Sequence, residues 1–211
     1  ASNVSLTVGP DVDYIKAEQR GSVYYVSKIL ADMVLGAGSY RVLEELKGCD
    51  LEYIEYEQLM PFVKVDKKAF YVTCGDYVTT EDGTGIVHTA PAFGEDDYRS
   101  GMKYGLPMLQ LVDEEGKFVP EVTDWANVPV KVADPQITRK LQHEGKLFKR
   151  ERMTHSYPHC WRCKKPVIFR STDQWFVSVS DFKEEALKTI DGDVRWIPDW
   201  GKERIFNMVR D

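Results

Sequence analysis

Apolar and polar positions along the chain alternate in two rhythms. Period-two stretches predict short strands, and stretches spaced by three and four predict helices. Val4–Val8 and Tyr14–Ala17 read as a pair of strands across the turn Gly9-Pro10-Asp11. Val23 to Leu35 carries apolar residues at helical spacing and is stopped by Gly36-Ala37-Gly38. Tyr40–Leu46, Leu51–Tyr56, Phe62–Val65 and Ala69–Cys74 read as further strands, and Met108–Val119 as two more around Glu114-Glu115-Gly116. Asp134-Pro135 opens a helix to His143 with proline in the first helical position, and Gly145 stops it. Beyond about residue 150 come the apolar runs Pro166–Phe169 and Gln174–Val179, then helices near Phe182–Thr189 and from Lys202 to Asp211.

The densest stretch lies between these elements, from Gly83 to Tyr98. Asp82-Gly83 and Thr84-Gly85 supply turn chemistry, because glycine reaches positive φ without steric cost. Ile86-Val87 start a strand that Pro91 must end near Ala90, since proline cannot donate to a ladder. Glu95, Asp96 and Asp97 then complement the positive end of a helix running to about Tyr104, with Gly105 as its cap. Histidine on a strand is ordinarily a half-buried side chain, and aspartate in a first helical turn is ordinarily a cap. Here His88 leaves the strand end as Asp97 enters the helix across one short loop, and sites are built at such element ends.

Many short strands with three or four helices predict an α+β fold around a barrel-like, mostly antiparallel sheet. The domain reading is 1–150 for the main body and 151–211 for a smaller connective module. In 211 residues there is enough chain for a core, and no apolar run approaches 18 residues, so no membrane span is expected. A start without methionine and an end within a helix suggest a piece of a longer protein. No basic-then-apolar leader is present. Neither a Gly-x4-Gly-Lys-Ser/Thr loop nor a Gly-x-Ser-x-Gly elbow occurs.

Net charge is −6, which argues against a generally nucleic-acid-binding surface. Residues 139–170 nevertheless hold ten Lys/Arg against two acids. The strip is either a solvated face or a docking track for RNA phosphates. Of four cysteines, Cys49 and Cys74 read as ordinary reduced thiols. Cys160 and Cys163 form Cys-x-x-Cys flanked by His155 and His159, which is half of a structural zinc site.

The pattern G-T-G-x-V-H-x-A-P-x-x-G-x-x-D-Y, filled at every fixed position from Gly83 to Tyr98, resembles the editing domain (CP1) of isoleucyl-tRNA synthetases. Three blocks extend the resemblance over the chain in order: His155-Ser156-Tyr157-Pro158-His159-Cys160-Trp161-Arg162, Gln174-Trp175-Phe176-Val177, and Trp200-Gly201-Lys202-Glu203-Arg204-Ile205. The opening Ser2-Asn3-Val4-Ser5-Leu6 resembles the strand that follows the family's threonine-rich segment, which lies upstream of Ala1 and forms part of the family's pocket. One methylene in a pocket discriminates by only about 1–3 kcal/mol, the limit that isoleucyl enzymes are known to illustrate, so a second hydrolytic sieve is needed. The resemblance therefore implies hydrolysis of the ester of misacylated Val-tRNA(Ile). In it, Asp97 holds the substrate ammonium by a charge-assisted contact and His88 lines the pocket and excludes isoleucine. A positioned water attacks, with no nucleophilic side chain and no cofactor. Gly85, Val87, Thr89, Ala90, Pro91, Phe93 and Gly94 are the implied substrate-binding neighbours. Implied partners are the aminoacylated 3′ end of tRNA(Ile) and the rest of a cytoplasmic synthetase, where ATP would be used; the chain itself is expected to be monomeric. Zinc at Cys160 and Cys163 would be shared with a cysteine pair outside the chain, or completed weakly by His155 or His159. The alternatives are a valyl or leucyl editing domain, or a non-catalytic tRNA-docking or zinc-clamp module.

Overall fold

A computed structural model describes residues 1–151 and 154–211. The chain divides into two compact units, Ala1–Ser171 and Thr172–Asp211. That division falls later than residue 150, because Tyr157 to Ser171 runs back along the first unit. Arg170 Nε donates to the Val112 carbonyl at 3.0 Å, and the Ser171 N–H donates to the Ala92 carbonyl at 2.8 Å.

The first unit is α+β, built on two three-stranded sheets. Strands β1 (Ser5–Val8), β2 (Asp13–Gln19), β3 (Ser22–Ser27), β4 (Arg41–Lys47), β5 (Tyr71–Cys74) and β6 (Ile86–Thr89) assort as β5-β1-β6 and β3-β2-β4. β1 pairs parallel with β5 and antiparallel with β6. Among the described residues neither sheet closes into a barrel, so the barrel-like expectation is corrected to two open sheets with helices α1 (Glu95–Tyr104) and α2 (Val130–His143).

Local chemistry explains the other departures. β1 and β2 are not a hairpin, because the turn closed by Val12 N–H on the Gly9 carbonyl (3.1 Å) carries the chain from one sheet to the other. The stretch expected as a helix from Val23 begins as β3. Its Val-Tyr-Tyr-Val run favours a pleated surface, and only after Ser27 does it coil into single turns at Lys28–Leu30 and Asp32–Gly36. Residues 51–56 run beside β5 through isolated bonds such as Tyr53 N–H to the Val72 carbonyl (2.8 Å), without forming a strand. Residues 62–65 are irregular, with Phe62 turned onto Trp125 at 5.7 Å between ring centroids. The hairpin expected at 108–119 shrinks to one bridge, Val112 with Phe118. Helix α2 starts at Val130, and Pro135 lies inside it, leaving the Lys131 carbonyl without its helical donor. The runs 166–169 and 174–179 form no strand; the first is tied to the preceding turn by a His159–Pro166 bridge, and Val179 opens a short 3-10 turn.

The two sheets have different interiors. Around β3-β2-β4 the core is hydrocarbon: Ile15, Ala17, Val26, Leu30, Ala31 and Leu35. One face of β5-β1-β6 is lined by hydroxyls that are fully buried: Ser5, Thr7, Thr73 and Thr89. Ser5 donates to the Tyr71 carbonyl at 2.7 Å and so accepts from Thr73 at 3.0 Å. Thr73 in turn accepts from Thr7 (3.0 Å), and Thr7 from Thr89 (2.5 Å) and Tyr77 (3.1 Å). One proton direction thus satisfies every hydroxyl in the chain Thr89–Thr7–Thr73–Ser5. Tyr14 ties the sheets together. Its phenol donates to the Gly85 carbonyl (2.5 Å) and accepts the Gly9 N–H (3.1 Å). Gly85 sits at φ +74°, and a Cβ there would come within 2.5 Å of Ser27 Cβ.

The second unit consists of α3 (Lys183–Gly192) and α4 (Trp200–Arg210). Ile190 is buried between them, the Trp196 indole donates to the Ile190 carbonyl at 3.0 Å, and Lys202 pairs with Asp191 at 2.7 Å.

Candidate functional site

The turn–strand–loop–helix reading of residues 83–105 holds residue by residue. Gly83 and Gly85 have φ of +68° and +74°, β6 ends at Thr89, and α1 starts at Glu95 with its three acids in the first turn. Gly105 caps it in the left-handed region at φ +66°. Pro91 is buried against Gly101, where any Cβ would lie 2.8 Å from the proline ring. That contact pins the loop to α1. Gly94 precedes the helix, and a Cβ there would meet the Asp97 carboxylate at 2.9 Å, so any side chain at this position would displace that carboxylate.

The fold brings His88 and Asp97 to the two sides of this loop. Desolvation by the surrounding protein pushes the His88 imidazole below its ordinary value although the residue is solvent-exposed, and the neighbouring Asp97 carboxylate partly offsets this. Burial raises Asp97, while the Ala90 N–H and His88 hold it back. Each group therefore favours its neutral form more than it would in water, and each sustains the charge of the other.

His88 faces two cavities at once. The first, about 380 Å³, is mainly apolar, with Leu6, Leu59 and Met60 among its walls and Asn3, Glu57 and Gln58 at its polar edge. Tyr56 fixes this wall by donating to Asn3 Oδ1 at 2.6 Å. The second, about 480 Å³, also includes Ala90 and Phe93 and extends to Lys131, Tyr157 and Phe169. Asp97 lines neither cavity. Of the other expected neighbours, Thr89 belongs to the hydroxyl chain, Gly85 to the joint between sheets, and Val87 to the opposite side of β6 from His88. Position along the motif thus separates residues that face the cavities from residues that hold the loop.

Residues 57–60, Lys131, Tyr157 and Phe169 were not among the site residues expected from the sequence. The usable signal was Leu59-Met60 before Pro61, where a turn-forming stretch still carries large apolar side chains.

Cys160 and Cys163 lie on a tight turn, with Lys164 at φ +58° and the Cys160 N–H and carbonyl bonded to Lys165 and Lys164. Backbone N–H groups of Cys163 and Arg162 lower the Cys160 thiol, which favours the thiolate that a metal needs. His155 and His159 direct Nδ1 to the carbonyls of Ser156 and Tyr157. Among the described residues no group of three or more potential metal ligands forms. Three cations of the basic strip are paired with acids: Lys140 bonds Asp124 and Glu144, Lys146 bonds Glu144, and Lys149 bonds Glu151. Its Arg152 lies outside the described residues.

The fold is shared with a synthetase CP1 domain. A crystal structure of GlLeuRS-CP1 superposes with a TM-score of 0.51 over 75% of this chain and 80% of that one, at 17% identity. The family model for class I tRNA synthetases (I, L, M and V) matches residues 13–211, and the chain belongs to that family. Within it, the chain is similar to isoleucine–tRNA ligases. It is 50% identical to that of Clostridium novyi over 94% of its own length, and 44% and 43% identical to those of Geobacillus thermodenitrificans and Pyrococcus furiosus over 100%. It spans about a fifth of the length of each of these relatives.

Proposed function

We propose that the chain is the hydrolytic editing part of an isoleucine–tRNA ligase and cleaves the ester of Val-tRNA(Ile). The observation that carries this reading is the placement of His88 and Asp97 across one pinned loop, with His88 at the mouth of a small apolar cavity. The similarity to isoleucine–tRNA ligases over the whole chain supports it.

In this reading the ionised Asp97 holds the substrate ammonium at the loop. The apolar cavity takes the acyl side chain, and the neutral imidazole of His88 limits its size. The side chains position the ester and a water; none becomes acylated. Cys160 and Cys163 hold two of four positions of a structural zinc ion, whose other donors come from elsewhere in the synthetase.

The test is deacylation of Val-tRNA(Ile) against Ile-tRNA(Ile) by this chain and by the synthetase it belongs to. Valyl ester should be hydrolysed selectively, and Asp97→Ala should abolish that activity while leaving thermal unfolding near the wild-type midpoint. Unchanged hydrolysis by Asp97→Ala in the synthetase sinks the assignment.

A further inference from the structure

Asp-Gly occurs twice in the chain, at Asp82-Gly83 and Asp191-Gly192, and the fold treats the two differently. In this dipeptide the amide nitrogen of the second residue can attack the aspartyl side chain, because glycine has no Cβ to block the approach and leaves the backbone free to turn. Asp82 and Gly83 lie exposed on the turn ahead of β6. Gly83 sits at φ +68°, and beyond its chain neighbours nothing lies within 4 Å of where a Cβ would stand, so the backbone has room to swing. Among the described residues the Asp82 carboxylate meets no cation and the Gly83 N–H no acceptor. Asp191-Gly192 instead closes α3. The Gly192 N–H belongs to the helical ladder, the following N–H of Asp193 donates to the Thr189 carbonyl at 2.9 Å, and Lys202 holds the Asp191 carboxylate at 2.7 Å.

We propose that Asp82-Gly83 is a site of spontaneous isomerisation and, once isomerised, a substrate for an isoaspartyl carboxyl methyltransferase. The Gly83 nitrogen bonds to Asp82 Cγ, and the protonated carboxyl loses its hydroxyl, which leaves as water with the amide proton. Water then adds to the backbone carbonyl carbon of Asp82 in the resulting succinimide and breaks its bond to nitrogen. The main chain now runs through Cγ, with one more carbon in its path and a free α-carboxylate. A methyl group passes from a sulfonium donor to that carboxylate; the S–CH3 bond breaks, the O–CH3 bond forms and the sulfonium becomes a thioether. The extra carbon falls between fixed points. Val78 is buried on one side, and on the other the Thr84 carbonyl takes the Ser27 N–H at 2.9 Å and the Gly85 carbonyl takes the Tyr14 phenol at 2.5 Å. Gly85 is fitted so closely that a Cβ would reach Ser27, so a lengthened chain slackens the joint between the sheets. None of this depends on the editing reading.

The experiment holds the synthetase that contains this chain at physiological temperature and pH for days, then labels it with an isoaspartyl methyltransferase and radioactive methyl donor and maps tryptic peptides. Label should accumulate in the peptide of residues 69–99 and enter that of residues 189–195 at least about tenfold more slowly, because the helical site reacts only when locally open. A transient form of the first peptide, lighter by one water, should precede the label. Asp82→Glu keeps the charge but would need a larger, slower-forming ring, and should remove label from residues 69–99. The unfolding midpoint of the aged wild type should fall, and that of aged Asp82→Glu should not. No label in residues 69–99, equal label in both peptides, or label surviving Asp82→Glu would each overturn the proposal. Label with no difference between the aged midpoints would overturn the slackened joint and leave the modification site standing.

Discussion

The two sheets of the first unit are equal in strand number and opposite in interior. The β3-β2-β4 sheet is sealed by aliphatic side chains, which attract without regard to direction and can repack. The β5-β1-β6 sheet is joined on one face by a chain of hydroxyls, each donating to the next until Ser5 donates to the Tyr71 carbonyl. Hydrogen bonds weaken steeply with angle, so this seam fixes where its strands sit as well as that they associate. The strand that carries His88 belongs to the second kind, and the hydroxyl chain ends on Thr89 beside it. Apolar packing supplies bulk stability in one sheet, and directional bonding supplies placement in the other.

Substitutions in the two sheets test this difference. The largest loss should come from Ile15→Ala, which empties part of the hydrocarbon core and costs about 2–5 kcal/mol in urea unfolding. Editing activity per folded molecule should stay near wild type. Thr7→Val keeps the shape but removes the central hydroxyl, so Thr73, Thr89 and Tyr77 lose a partner and stability falls by about 1–3 kcal/mol. Here activity should fall further than stability does, as β6 loses its anchor. A Thr7→Val protein as stable and active as the wild type would erase the distinction between the sheets.

The smallest effect is electrostatic. His88 should titrate by NMR below the ordinary imidazole range, since desolvation lowers it, and Asp97→Asn should lower it again by removing the carboxylate that partly restores it. An unchanged value in the variant would mean that the pair is not coupled across the loop. Because Asp97 is raised by burial, valyl-ester hydrolysis should decline on acidification at a pH above that of a free carboxylate, as the carboxylate takes up its proton.

The helical and loop parts of the site were legible in the sequence because local rules govern them. Gly85, Pro91, the acids at 95–97 and Gly105 each have one conformation that suits them, and they occur in the order that makes a strand, a loop and a helix. The sheets were not legible in the same way. Whether Val4–Val8 pairs with Tyr14–Ala17 or with residues 71–74 and 86–89 depends on partners far along the chain, and Ser5 and Thr7 look like solvent-facing positions until Thr73 and Thr89 meet them. Val23–Leu35 satisfied both periodicities, and pairing of β3 with β2 decided between them. The cavity walls at 57–60 and at Lys131 come from irregular backbone and a helix start. No period marks them.

The central position of β1 has a consequence for synthesis. Both neighbours of Ser5–Val8 come from residues 71–89, so a growing chain carries this strand with both edges open until Cys74 has been made and with one open until Thr89. At roughly 5–20 residues per second this interval is roughly 4–17 seconds. During that time the exposed amides of an alternating Ser-Leu-Thr-Val segment can pair with any strand within reach. The ribosome-bound chain is therefore most vulnerable to misassembly before His88 exists, and slow decoding between residues 9 and 70 should lower the yield of folded protein more than the same delay placed after Thr89.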